Sequence, residues 1–291
     1  MTGYPNPSDE SELRLLWKEV FNDTDEFIDS FFSRRYSVDS ALIYREGGRI
    51  ASMIFFPRYD FRIEREYYGL GYICGAATLP QYRSRGLMGQ LIEASHEAMR
   101  ERGDRFAALI PASDSLYGYY RRYGYHELFV RSRLKVNRDE KITGAGYTLQ
   151  AADNTDLIYG LYLKGISPLS SVVIQSRTTF DAVVKEFRLT GGDILVSSDS
   201  SIYCFVRQDG KGLYVREVFG RPADKKVYPK LAAALMEHYP QVSSVDIEVP
   251  YGFAGPESET FRTGMGRGLT DEAGSLLKHV TGAYMKFMLE D

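Results

Sequence analysis

The segment spanning residues 67–103 constrains this chain more than any other. It reads as a β-rich run over 67–79 stopped by Pro80, a turn, and then an amphipathic helix from Gly86 to Gly103. In that helix Leu87, Met88, Leu91, Ile92, Ser95 and Met99 share one face, with Glu93, Glu97 and Arg100 opposite. A strand, a short glycine-containing turn and a helix make an α/β unit, and such a turn is suited to anions. The first helical N–H groups have no intrahelical partner, and the helix dipole adds positive potential there. Gly86 lets a ligand approach the backbone, and Arg83 and Arg85 offer charge to a phosphate. Taken from the residues alone, an ordinary strand-to-helix turn with two solvated arginines explains the run equally well.

The same outline recurs along the chain. Helices are expected over 8–21 and 25–36, a hairpin turning at Gly47-Gly48, a short strand over 106–110, a tyrosine-rich helix over 113–122 and a strand over 127–135. After a polar stretch at 137–146 come helices over 153–163 and 178–187, β-rich runs within 193–220, a helix over 225–239 and a strand over 243–249. The length of 291 residues suits two modules. We place them at 1–140 and 147–291, the second a degenerate copy of the first. Its Gly264–Leu269 run, GMGRGL, reads as a loop.

Composition narrows the function classes. The net charge is -3, with 36 basic against 39 acidic residues, which disfavours a nucleic-acid binder with a broad basic face. The start lacks a basic segment followed by an apolar run, and no apolar stretch is long enough to span a bilayer, so a soluble cytoplasmic protein is expected without membrane partners. Cys74 and Cys204 stand far apart without neighbouring ligands, so neither a metal site nor a disulfide framework is expected. Aromatic-rich β edges make a homo-oligomer an open option.

The run Pro80, then Arg83-Ser-Arg-Gly86-Leu-Met88, resembles the signature of the GNAT superfamily of N-acetyltransferases. Met88 stands where the general motif has a small residue, a departure that resembles the enhanced-intracellular-survival subgroup of tandem GNAT proteins. FAALIPASDSLYGYYRRYGYHEL resembles the family's next strand and helix, and the C-terminal AYMKFMLED resembles the end of that subgroup's second, cofactor-free module. The resemblance implies an α/β GNAT fold, a mixed and mostly antiparallel sheet flanked by helices, in two tandem modules. It also implies acetyl-CoA as co-substrate and a primary amine on a small molecule or peptide as acceptor, leaning toward aminoglycoside-like polyamines. A CoA-binding sensor without turnover is the rival reading.

Acetyl transfer needs a cradle for the diphosphate, a donor for the charge on the carbonyl oxygen, and a proton for the leaving sulfur. The resemblance assigns the cradle to Arg83, Ser84, Arg85, Gly86, Leu87, Met88 and Gly89. Backbone groups of Ala76, Ala77 and Thr78 would line the pantetheine arm and supply the oxyanion donor, with Ser115 and Leu116 flanking it. Tyr120 falls on the general-acid position; Tyr117, Tyr119, Tyr123 and Tyr125 are phenols of the same capability. His96, expected on the polar side of its helix, and His126 read as structural or surface residues. In the resembled subgroup a terminal carboxylate acts as base, borne there on an additional sterol-carrier-like domain; here Asp291 would take that part if residues 284–289 return to the site as a strand.

Overall fold

A computed structural model describes residues 1–138, 146–220, 227–255 and 258–287. The chain opens with strand β1 (Thr2–Gly3), helices α1 (Glu10–Phe21) and α2 (Asp25–Arg34), and strands β2 (Ala41–Glu46), β3 (Arg49–Phe55), β4 (Arg58–Ile63) and β5 (Glu66–Thr78). Helix α3 (Leu87–Glu101), strand β6 (Phe106–Leu109), helix α4 (Asp114–Arg121) and strand β7 (His126–Asn137) follow. The second half runs β8 (Leu149–Ala151), α5 (Thr155–Ile166), β9 (Ser171–Ile174), α6 (Arg177–Leu189), β10 (Asp193–Ser197), β11 (Ile202–Asp209) and β12 (Gly212–Gly220). It closes with α7 (Val227–His238), β13 (Ser244–Pro250), β14 (Glu259–Gly268) and α8 (Asp271–Leu277). None of these helices is long and apolar enough to cross a membrane.

Local chemistry accounts for many of these boundaries. Gly47 and Gly48 both take positive φ, which closes the β2–β3 hairpin, and side chains of Thr24, Asn154, Ser176 and Thr270 cap α2, α5, α6 and α8 by accepting a backbone N–H. Alternation along β2 and β3 sends Ala41, Ile43, Met53 and Phe55 into a core under α1 and α2. Leu42, Ile54 and Phe56 enter a second core on the opposite face, under α3 and α4.

All fourteen strands among the described residues join one sheet, most pairs of which are antiparallel. Its main path runs β1-β2-β3-β5-β6-β14-β7-β13-β12-β11-β10-β8. The two ends mirror each other. β5 pairs with β6 in parallel across the α3 connection, and β12 with β13 in parallel across α7. This is the tandem α/β arrangement expected, with an exchange at the centre. β7 leaves its own half to pair with β13, while β14 fills the place between β6 and β7. The boundary we placed between residues 140 and 147 lies largely outside the described residues, as does the 221–226 stretch that follows β12.

The run 264–269 is therefore a correction: all of it but Leu269 belongs to β14, a strand at the middle of the sheet, and not to a loop. Its glycines create close approaches. A Cβ on Gly266 would lie 2.4 Å from Leu128, and one on Gly268 would lie 2.2 Å from the backbone N of Gly274 in α8.

Candidate active site

The site begins where two parallel strands part. β5 and β6 are in register from Leu70 opposite Phe106 to Ile73 opposite Leu109, and there the pairing stops. β5 continues to Thr78 along β3 through a bulge, since Met53 lies opposite Ala77 but Phe55 opposite Cys74. Gly75 occupies that bulge at φ +54°, and a Cβ on it would come within 2.5 Å of Phe55 and 2.7 Å of Trp17. Both conformation and space therefore call for glycine. Leu79 N donates to Ala51 O, so by the two-residue alternation of a strand Ala77 faces β3 while Ala76 and Thr78 turn their backbone groups toward the split. The Ser52 hydroxyl bonds Ala77 O and the Thr78 hydroxyl, each at 2.8 Å, and stiffens this edge.

After Thr78 the chain makes a 3₁₀ turn over Pro80–Tyr82 and reaches α3 through Ser84 at φ +62° and Gly86 at φ +75°. Gly86 is the N-cap. No side chain caps this end, and no acidic residue lies in its first turn. A Cβ on Gly86 would meet nothing within 4 Å, so its backbone conformation, rather than crowding, requires glycine. Arg83 and Arg85 are exposed. Arg83 Nε donates to Thr78 O at 3.0 Å, and Arg85 pairs with Glu46 at 2.9 Å. Leu87 is buried, Met88 packs partly against the α3–α4 core, and Gly89 leaves room for Tyr123, whose hydroxyl would be 2.4 Å from a Cβ there.

Helix α4 faces this turn's core with its tyrosines, and the structure tells them apart. Tyr123 donates to the Tyr119 hydroxyl, Tyr125 bonds His96 Nε2 at 2.9 Å, and the Arg262 guanidinium lies 4.0 Å from the Tyr117 ring centre. Tyr120 packs edge-on to Tyr119 and Tyr125 with no hydroxyl hydrogen bond to the other described residues. Burial pushes its phenol up to about 12, so it stays protonated at neutral pH. In the first turn of α4, Ser115 is exposed with its hydroxyl 2.9 Å from that of Ser113, and Leu116 is half-buried. His126 is exposed.

His96 is the second correction. It is fully buried, not on a polar face, and its Nδ1 meets Arg267 at 3.0 Å. Burial, reinforced by Arg267 and Arg100, lowers its pKa to about 3.

On the α1–α2 side of the split lies a cavity of about 450 Å³ that sequence reasoning did not find. Its floor is Ile73, Cys74 and Gly75 of β5, with Ile110 and Ala112 just past the end of β6. The two strands thus diverge into it. The chain's C-terminal part returns to the same place. Ala283 bridges Phe129 and Tyr284 bridges Val172, while Gln175 Nε2 donates to Lys286 O at 2.6 Å. Phe287 packs 4.4 Å from the ring of Tyr72, which lines the cavity. Asp291 itself lies outside the described residues.

Residues 4–128 match the sequence profile of the Acetyltransferase (GNAT) domain. No curated protein matches the chain. Among solved structures it is similar to a probable N-acyltransferase from Enterococcus faecalis, with a TM-score of 0.76 and 15% identity over 92% of this chain and 72% of that one. Eis1 from Mycobacterium abscessus gives 0.69 and 12% over 94% and 75%, and a tandem GNAT protein from the clavulanic acid biosynthesis pathway gives 0.54 and 12% over 93% and 98%. At such identities the likeness is one of fold.

Proposed function

From the match of residues 4–128 to the GNAT acetyltransferase domain and the likeness of the fold to a tandem GNAT protein, we propose that the chain transfers an acetyl group from acetyl-CoA to a primary amine of a small molecule or peptide. The observation that carries this reading is the opening of β5 from β6 directly before an uncapped α3 N-terminus. An amide-bearing arm can pair with the open edge at Ala76 and the Thr78 N–H, as an added strand would, while Thr78 O is held by Arg83 Nε. A diphosphate at its end meets the amides from Gly86 through Gly89, with Arg83 and Arg85 beside it. Ser84, Leu87 and Met88 set the shape of that turn, and Ser115 and Leu116 border the arm from α4.

Acetyl-CoA supplies a thioester whose carbonyl carbon bonds the amine nitrogen as its carbon–sulfur bond breaks. A backbone N–H on the open edge meets the carbonyl oxygen as negative charge develops on it. Tyr120, held neutral by burial, gives its proton to the departing sulfur. The amine's proton goes to a base that we assign to a carboxylate of Asp291. The division into an acetyl-CoA-binding module, 1–140, and a cofactor-free one, 147–291, belongs to the same reading, as do a cytoplasmic setting and self-association.

Calorimetric titration with acetyl-CoA, with Gly86→Trp as control, tests the proposal. Micromolar binding that the control loses supports it, and absence of binding by the wild type refutes it. Binding without amine-dependent thiol release across an amine panel would instead favour a silent sensor.

A further inference from the structure

The acetyl-transfer reading leaves the acceptor open, and the cavity beyond the split narrows it. Its walls are aromatic. Trp17 and Phe21 come from α1, Phe27 from α2 and Tyr72 from β5. Trp17 is fixed by a 2.7 Å bond from its Nε1 to Asp23 Oδ2 and by rings on both sides, Phe21 at 5.2 Å and Phe31 at 4.4 Å. Phe21 is 40% exposed, a large apolar ring left at the rim of an opening.

The charged lining is sparse and balanced, one carboxylate at Asp23 and one guanidinium at Arg207. Asp23 is already engaged by Trp17, and Arg207 lies over the Phe187 ring at 5.1 Å and donates to the Thr190 hydroxyl at 2.6 Å. A polycation entering here would lose water from several ammonium groups and meet one carboxylate and one like charge, an unfavourable exchange. A flat apolar body gains contact with four rings and requires no such compensation.

Resting on the acetyl-transfer reading, we propose that the acceptor is a primary amine joined by a short linker to an aromatic ring, the ring held among Trp17, Phe21, Phe27 and Tyr72. The volume of about 450 Å³ is in the range of small-molecule sites and accommodates a phenyl or phenol ring with a two-carbon linker. This class differs from the aminoglycoside-like polyamines that the family resemblance implied.

Trp17 is the single tryptophan of the chain, so its fluorescence reports on the cavity independently of catalysis. Titrating the full-length protein with phenethylamine should give a saturable change in that emission, and spermidine at the same concentrations should give none. In thiol-release assays with acetyl-CoA, kcat/KM for phenethylamine should exceed that for spermidine or kanamycin by about 10-fold or more, the scale of one good ring–ring contact. Phe27→Ala should raise KM for phenethylamine about 10-fold while leaving acetyl-CoA affinity unchanged. A preference for spermidine or kanamycin overturns the inference, as does a Trp17 signal indifferent to phenethylamine in a protein that binds acetyl-CoA. A Trp17 response without acetyl-CoA binding keeps the cavity's ligand class and overturns the transfer reading alone.

Discussion

Tyr120 and His96 both pack against Tyr125 and are both shifted by burial, with opposite consequences. Burial preserves the proton on Tyr120, which suits an acid. Tyr120→Phe should therefore leave acetyl-CoA affinity intact and lower turnover roughly 10- to 1,000-fold in steady-state assays, the usual range for acid–base groups; unchanged turnover removes Tyr120 from its role. For His96 burial prevents protonation. Its folded pKa near 3 lies below the unfolded value near 6.5, so between them the unfolded chain binds a proton that the folded chain does not. Stability should fall as pH drops from about 6.5 toward 3, by up to about 1.4 kcal/mol per pH unit. His96→Gln, which keeps a donor for Tyr125, should flatten that slope in urea unfolding at pH 7 and pH 4.5. The sequence suggested a polar setting for His96 because Glu93 and Glu97 flank it. Helical spacing also aligns it with Ile92, Ser95 and Met99, and the deciding partners, Tyr125 and Arg267, arrive from 29 and 171 residues away.

Elements defined by local chemistry were legible in the sequence, whereas elements defined by partners were not. The β5–turn–α3 unit follows from a strand pattern, a proline, a positive-φ glycine and an amphipathic face, all within one segment. Strand β14 was hidden because its glycines lower intrinsic strand preference, and only the Leu128 side chain of β7 and the backbone of α8 that crowd them explain why they are there. The cavity escaped notice for a related reason, since Trp17, Phe27 and Tyr72 read as ordinary core residues until the strand split places them together. Two substitutions separate the kinds of glycine. Gly86→Trp meets open space and costs only the strain of its left-handed backbone, about 1–2 kcal/mol, so the protein should stay folded by circular dichroism and lose acetyl-CoA binding in the calorimeter. Gly268→Ala drives a methyl into the α8 backbone and should destabilise the fold by about 1–3 kcal/mol in thermal unfolding.

At the scale of the molecule the exchange of β7 and β14 ties the two halves of the sequence into one sheet. Neither half contains its full set of strand partners: residues 1–138 would leave β6 without β14 and β7 without β13, and the remainder would lack β7 along β13. A second tie crosses from α2 to α6, where Arg35 and Glu186, both almost fully buried, pair at 2.6 Å with Ser30 and Tyr59 completing the network. Removing one member of such a pair strands a buried charge and costs about 3–5 kcal/mol. Two modules recognisable in the sequence thus need not be two folding units. A fragment ending at Arg138 should fail to fold alone, showing exposed edge strands as aggregation, and co-expression with residues 139–291 should restore a soluble complex that binds acetyl-CoA. If residues 1–138 instead formed a monomeric domain with a sharp unfolding transition, the exchanged strands would be dispensable and the first module would be self-sufficient.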